Sequence, residues 1–228
     1  MPKFKFNRLQ WFVHIGSIIP FLVMLWDAFS NNLTVNPIQE ITQRTGRTAI
    51  IWLVFSLACT PFNVIFGLRP FNQVRRPLGL YSAFYATLHV ITFFVLDYGL
   101  NLKLIWQTII EKPYILLGVT GFVILCILTF TSTKKSMQKL GKKWHQLHRL
   151  VYLAAIILLL HFFMALKFIN ALAITIAIIL VILLLIRIPI IRKFFIKRQP
   201  AWSRTVNNYL TGRKKKTINS KIDNPAFK

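Results

Sequence analysis

The chain has 228 residues, 55% of them hydrophobic, and a formal net charge of +24. Apolar runs of about twenty residues recur along it, such as "ILLGVTGFVILCILTF" extended on both sides and "INALAITIAIILVILLLIRI", which excludes one soluble core and identifies a polytopic membrane protein. In a soluble protein the charge would suggest nucleic acid, but here the basic residues cluster between apolar runs, where they report topology.

The pattern predicts an all-α bundle of six transmembrane helices at roughly 10–29, 48–66, 78–97, 113–131, 146–166 and 169–189. The basic start and apolar run of "MPKFKFNRLQWFVHIGSIIPFLVML" resemble a signal peptide, but no small-residue cleavage site follows, so it reads as a retained first span. Pro77 and Pro113 are expected just inside two helix starts, where a missing N–H costs nothing. Pro20 and Pro189 are placed to kink the helices they lie in or beside.

With the N-terminus inside, the inner segments carry Lys3, Lys5 and Arg8, then Arg69, Arg75 and Arg76, then six basic residues from Lys134 to Arg149 and twelve from Arg187 onward. The other side holds only Arg44, Arg47, Lys103, Lys112 and Lys167. The positive-inside rule therefore expects both termini in the cytoplasm. Cys59 and Cys126 each fall within a predicted span and read as small apolar residues. Residues 1–195 form the membrane domain, and 196–228 read as a basic, disordered cytoplasmic tail drawn to anionic lipid. No Gly-rich dinucleotide fingerprint, Walker sequence or CxxC occurs, so electrons must come from another molecule.

All five histidines, His14, His89, His145, His148 and His161, lie in or at the edge of predicted spans, and intramembrane ionisable residues default to function. A haem held by two helices needs both ligands at one depth. His89 lies about 18 Å beyond Pro77, and His161 about 22 Å beyond Gln146, on helices running the same way, so the two can clamp one haem. Neutral imidazole suits iron, with the second ring nitrogen needing an acceptor. His148 lies about 20 Å nearer the inner face than His161 and about 140° away around an ideal helix. The residue at the matching depth below His89 is Arg76, a poor iron ligand but a good propionate or phosphate partner. His148 is therefore left to ligate alone, to pair with His14 or His145, or to share the first haem. His145, beside Lys142, Lys143 and Trp144, reads as an interfacial anchor, and His14 as an interhelical hydrogen-bonding residue. Arg75 and Arg76 serve topology, with pairing to a propionate or flavin phosphate as the sharper role.

The segments "PIQEITQRTGRTAI", "RRPLGLYSAFYATLH", "KPYILLGVTGFVIL" with "TFTST", and "LGKKWHQLHRLVYLAAIILLLHF" closely resemble the MsrQ (YedZ) family of the ferric-reductase-like transmembrane superfamily. The resemblance covers most of residues 1–195. It implies a b-type cytochrome of the bacterial inner membrane, with one or two haems b, passing electrons to a periplasmic molybdopterin-dependent methionine sulfoxide reductase that repairs oxidised proteins. It places the family's haem ligands on His89, His148 and His161. It also associates a bound FMN, and either the quinone pool or a cytosolic flavin reductase, with the electron supply. Such a chain is an electron-transfer subunit and not a complete enzyme. The rival classes are a proton-relay transporter or channel without haem, which expects mid-membrane acids and inverted repeats, and a structural subunit with no cofactor.

Overall fold

The computed structural model describes residues 8–166, 171–197, 200, 202–203 and 206–207. They form ten α-helices: α1 (Arg8–Phe29), α2 (Pro37–Phe66), α3 (Phe71–Ile91), α4 (Leu102–Glu111), α5 (Tyr114–Phe130), α6 (Lys134–Leu140), α7 (Lys142–Leu147), α8 (Leu150–Ala165), α9 (Ala171–Leu185) and α10 (Pro189–Lys197). A π-helical turn, Thr92–Asp97, extends α3. Four stretches are long and apolar enough to span: Arg8–Phe29, Pro37–Phe66, Phe71–Asp97 and Lys142–Ala165. The count reaches six only if α4 with α5, bent by 111°, and α9 with α10, bent by 83°, each make one span. Large apolar side chains cover the outside, among them Phe12, Trp26, Phe29 and Phe130, as a lipid-facing surface requires and an aqueous one does not tolerate in such extent. The chain is a multi-pass, all-helical membrane protein.

Several boundaries differ from the sequence pattern. The second helix begins at Pro37 and not near 48, because its start is set by capping and not by hydropathy. The Asn36 side chain accepts from the Gln39 N–H at 3.2 Å, Pro37 occupies the first turn, and Glu40 follows. Arg44 pairs with both Glu40 and Asp27, tying this polar extension to the end of α1. The helix ends at Gly67, whose φ of 68° is left-handed and whose N–H bonds the Asn63 carbonyl at 3.0 Å. The third helix starts at Phe71, so Pro77 lies inside it and not at its start. Neighbouring helices make this tolerable in a membrane bundle, and Ser56 Oγ donates to the Arg75 carbonyl nearby at 2.8 Å. Residues 102–111, expected as loop, form α4, capped by the Asn101 side chain on the Leu104 N–H at 3.1 Å. Pro113 immediately precedes α5.

The predicted fifth helix is also not one ideal rod. α7 ends at Leu147 and α8 starts at Leu150. Between them the Arg149 N–H bonds the Gln146 carbonyl and the Tyr152 N–H bonds the Arg149 carbonyl, both three residues back, which tightens the turn. The 140° separation of His148 from His161 assumed an unbroken helix, which the chain does not have here.

α2 is the central element: half of its most apolar window is buried inside the bundle, against 11% for α1 and for the α7–α8 stretch. Its Leu53, Val54 and Leu57 pack with Tyr85 and Ala86 of α3, Leu125 and Leu128 of α5, Ala154 and Ala155 of α8, and Leu180 of α9. Small residues let the backbones approach, as membrane bundles require; Ala154 and Ala155 are fully buried. Interhelical hydrogen bonds add to this: Ser82 Oγ donates to the Ala49 carbonyl at 2.8 Å, and Tyr85 Oη to the Ser17 carbonyl at 2.6 Å. Arg187, counted in the sequence only as a topology charge, turns inward. It donates to Tyr152 Oη and, at 2.7 Å, to the Leu57 carbonyl, joining the end of α9 to α2 and α8.

The expected disordered tail, 196–228, falls mostly outside the described residues, as do Lys3, Lys5 and Lys167. Of the tail, Trp202 lies tilted beside Phe66 with ring centres 6.3 Å apart. Asn207 accepts from the Arg69 N–H at 3.1 Å and donates to the Gly67 carbonyl at 2.8 Å. Trp202 and Asn207 thus clasp the α2–α3 turn.

Candidate haem site

His89 sits in the last turn of α3 and His161 in the outgoing half of α8. They face each other across the bundle, with ring centres 6.2 Å apart and ring planes at 77°. The matched depth read from counting residues is thus realised as contact distance.

Each ring is held the same way. The His89 Nδ1–H donates to the Thr42 carbonyl of α2 at 2.8 Å, and the His161 Nδ1–H to the Tyr114 carbonyl of α5, also at 2.8 Å. A backbone carbonyl only accepts, so both bonds select the tautomer with the proton on Nδ1 and leave the Nε2 lone pair available. One turn along each of these helices lies a glycine, Gly46 and Gly118. A Cβ on Gly46 would stand 2.9 Å from His89 Nδ1, and one on Gly118 only 2.7 Å from His161 Cε1. The two glycines are notches into which the imidazoles fit. They also follow the acceptor residue by four positions, so each carbonyl keeps its helical N–H partner while receiving the histidine.

These six residues are related by one offset. Tyr114, Gly118 and His161 each lie 72 positions after Thr42, Gly46 and His89, and the helix pairs that carry them, α2 with α3 and α5 with α8, are the two most extensively packed in the bundle. The site is therefore quasi-two-fold. No internal repeat was apparent in the sequence because the side chains differ; the signal was a glycine followed by a histidine 43 residues later, twice. Thr42, Gly46, Tyr114 and Gly118 were all missed for that reason, since two of them act through the backbone and two by lacking a side chain.

Ring centres 6.2 Å apart bring the two imidazoles close enough to serve one metal centre. Among the described residues no group of three or more His, Cys, Asp or Glu gathers as a metal site. A bare ion would need such a group, whereas a porphyrin supplies four ligands itself and asks the protein for two. The donor set and its spacing thus fit haem.

The structure places His148 elsewhere, at the break between α7 and α8. Its ring stacks on Trp144 with centres 4.0 Å apart, and its Nε2 lies 3.3 Å from Thr131 Oγ1. That hydroxyl already donates to the Ile127 carbonyl at 2.7 Å, so the histidine is the donor and its Nε2 carries the proton, opposite to His89 and His161. Arg76 donates to the carbonyl of the next residue, Ser132. The same 72-residue offset relates Arg76 to His148, so the two flank one turn at the end of α5 as counterparts. His145 meets the other edge of Trp144 with ring centres 5.1 Å apart, and His14 bonds Tyr81 Oη through Nδ1 at 2.9 Å, as interhelical hydrogen bonding predicts.

A family model described as "Ferric reductase like transmembrane component" matches residues 45–159, a stretch that includes Gly46, His89, Tyr114, Gly118 and His148. A protein from Deinococcus radiodurans named "Protein-methionine-sulfoxide reductase heme-binding subunit MsrQ" is 40% identical over 156 residues, covering 68% of this chain and 77% of its own.

Proposed function

The chain belongs to the MsrQ family, and from that premise we propose that it is the haem-binding membrane subunit of a methionine sulfoxide reductase system, a b-type cytochrome that carries electrons through the inner membrane to a periplasmic molybdopterin-dependent catalytic subunit. The single observation that carries this reading is the His89–His161 pair, 6.2 Å apart with both Nδ1–H groups tied to backbone carbonyls.

His89 and His161 would hold the haem through Nε2. Haem supplies a one-electron iron couple, which no side chain here provides. The Thr42 and Tyr114 carbonyls fix each ring's orientation and make it a stronger donor by drawing on its Nδ1 proton. Gly46 and Gly118 keep the space for the rings. Both termini lie in the cytoplasm, electrons enter on that side from a quinone or a cytosolic flavin reductase, and they leave at the end of the bundle where α2 begins. His148 and Arg76 serve the inner half, Arg76 as partner for a propionate or for the phosphate of FMN, and His148 as ligand of a second haem once its bond to Thr131 is released.

The test is to purify the protein in mild detergent, record oxidised and dithionite-reduced spectra, and measure haem per chain in wild type and in His89→Ala, His148→Ala and His161→Ala. A b-type spectrum lost in either outer-pair variant supports the clamp. The fall in stoichiometry for His148→Ala counts the second haem. A protein that stays colourless after haem supplementation refutes the reading.

A further inference from the structure

Residues 102–111, outside every expected span, form α4, which is bent by 111° against α5. At about 100° per residue its side chains fall into three sectors. Ile105 and Thr108, 4% and 6% exposed, face the bundle at about 270° from Leu102. Leu102, Trp106 and Ile110, 75%, 64% and 67% exposed, share a sector centred at about 40°. Lys103, Gln107 and Glu111 are also exposed and ride one step further round, centred at about 140°. Leu104 is the exception, an exposed apolar residue at the edge of the polar sector.

Three sectors require three surroundings. A helix crossing the bilayer meets two, protein and lipid, and would carry Lys103 and Glu111 into hydrocarbon, where charged side chains are costly. A helix on a soluble surface also meets two, protein and water, and does not present a stripe of Leu, Trp and Ile to the water. The rim of a membrane bundle, where protein, lipid and water meet, matches all three. α5 crosses without help from α4, since its own 17 residues rise about 25 Å, close to the hydrocarbon thickness. Val95 and Leu96 before α4 and Leu116 after it are exposed apolar residues, so the stripe continues the lipid-facing surface on either side. The turn into α4 adds an independent sign. Leu100 holds a left-handed φ of 60° and is 60% exposed. That backbone conformation is costly for a residue with a Cβ; packing within the protein leaves most of the leucine uncovered, whereas lipid covers it.

We propose that α4 is an in-plane anchor in the headgroup–acyl boundary, at the end of the bundle where α2 begins, with Leu102, Trp106 and Ile110 in lipid and Lys103, Gln107 and Glu111 in water. Trp106 suits that level, because its indole is an apolar ring with one N–H for the headgroups. The partner is phospholipid and not a soluble protein: a protein-docking patch is ringed by polar residues, whereas the far side of this stripe is Ile109, half-buried, and not a polar rim. Through Lys112 and Pro113 the anchor fixes the level of Tyr114, whose carbonyl holds His161 at 2.8 Å. The placement in lipid goes beyond the electron-carrier reading and stands without it; only its consequence for the depth of a haem rests on that reading.

The test places a nitroxide, one position at a time, through Leu102→Cys, Lys103→Cys, Trp106→Cys, Gln107→Cys, Ile110→Cys and Glu111→Cys in a Cys126→Ala background; Cys59 is buried and stays. The full chain is reconstituted in nanodiscs of phosphatidylethanolamine and phosphatidylglycerol, and haem is quantified in each sample. Power-saturation electron paramagnetic resonance compares relaxation by oxygen, which concentrates in lipid, with relaxation by a water-soluble nickel chelate. Oxygen is expected to dominate at 102, 106 and 110, and nickel at 103, 107 and 111. Adding Trp106→Glu is expected to shift the labels at 102 and 110 toward nickel. Nickel dominating at all six positions makes the stripe a water-facing surface and overturns the proposal; oxygen dominating at all six makes α4 part of a span and overturns it equally. Either of those patterns in haem-loaded protein refutes the anchor alone, whereas the expected pattern in protein that stays colourless after haem supplementation refutes the cytochrome reading alone.

Discussion

Replacing Gly118 by alanine tests the notch directly. The added methyl would sit 2.7 Å from His161 Cε1 and 2.9 Å from Nδ1, whereas carbon atoms in contact settle about 3.5–4.0 Å apart. The ring must therefore retreat by about 1 Å, and the Nδ1–H bond to the Tyr114 carbonyl, now 2.8 Å, is stretched beyond useful length. The direct loss is about 1 kcal/mol for the hydrogen bond, and alanine returns about 0.5–1 kcal/mol through its better helix propensity, so stability should scarcely change. Haem affinity should change, because partners that orient a metal-bound histidine are worth about 10–100-fold. Haem titration of the detergent-purified apoprotein, followed by absorbance, reads this out beside a thermal melt. Gly16→Ala is the control, since a Cβ there meets nothing within 4 Å. If Gly118→Ala binds haem as tightly as wild type, the notch and its hydrogen bond do not govern ligand placement.

Gly46→Ala should produce the same loss at smaller size, since its Cβ would approach the His89 ring only to 2.9 Å; the ratio of the two haem affinities checks this. Trp144→Leu should leave the spectrum of a haem held by His89 and His161 intact, as the indole stacks on His148, and a reduced-minus-oxidised spectrum will show it. Asn207→Ala removes both clasps on the α2–α3 turn and should lower stability by about 1–2 kcal/mol without altering haem content, measured by thermal unfolding in detergent. Arg187→Gln strands the Leu57 carbonyl and Tyr152 hydroxyl and should cost about 1–3 kcal/mol in the same assay.

That the chain crosses a membrane several times was legible in the sequence because a helix in lipid must satisfy its backbone within its own segment, although only four stretches span outright and the other two expected spans are each a bent pair of helices. Axial depth was legible for the same reason: at a fixed rise per residue, counting put His89 and His161 level, and the rings meet. The polar start of α2 was written as Asn36–Pro37 with Glu40 behind it, a capping signal that hydropathy does not weigh. Azimuth was beyond reach, since a tightened turn at His148 and Arg149 rotates everything on one side of it relative to the other. The acceptors for His89 and His161 were equally hidden: any residue has a carbonyl, and only the packing of α2 on α3 and of α5 on α8 decides that those of Thr42 and Tyr114 lie beneath the rings. Local backbone chemistry thus determined the elements and their depth, whereas which faces meet, and where a missing side chain becomes a notch, belongs to contacts between residues 47 positions apart.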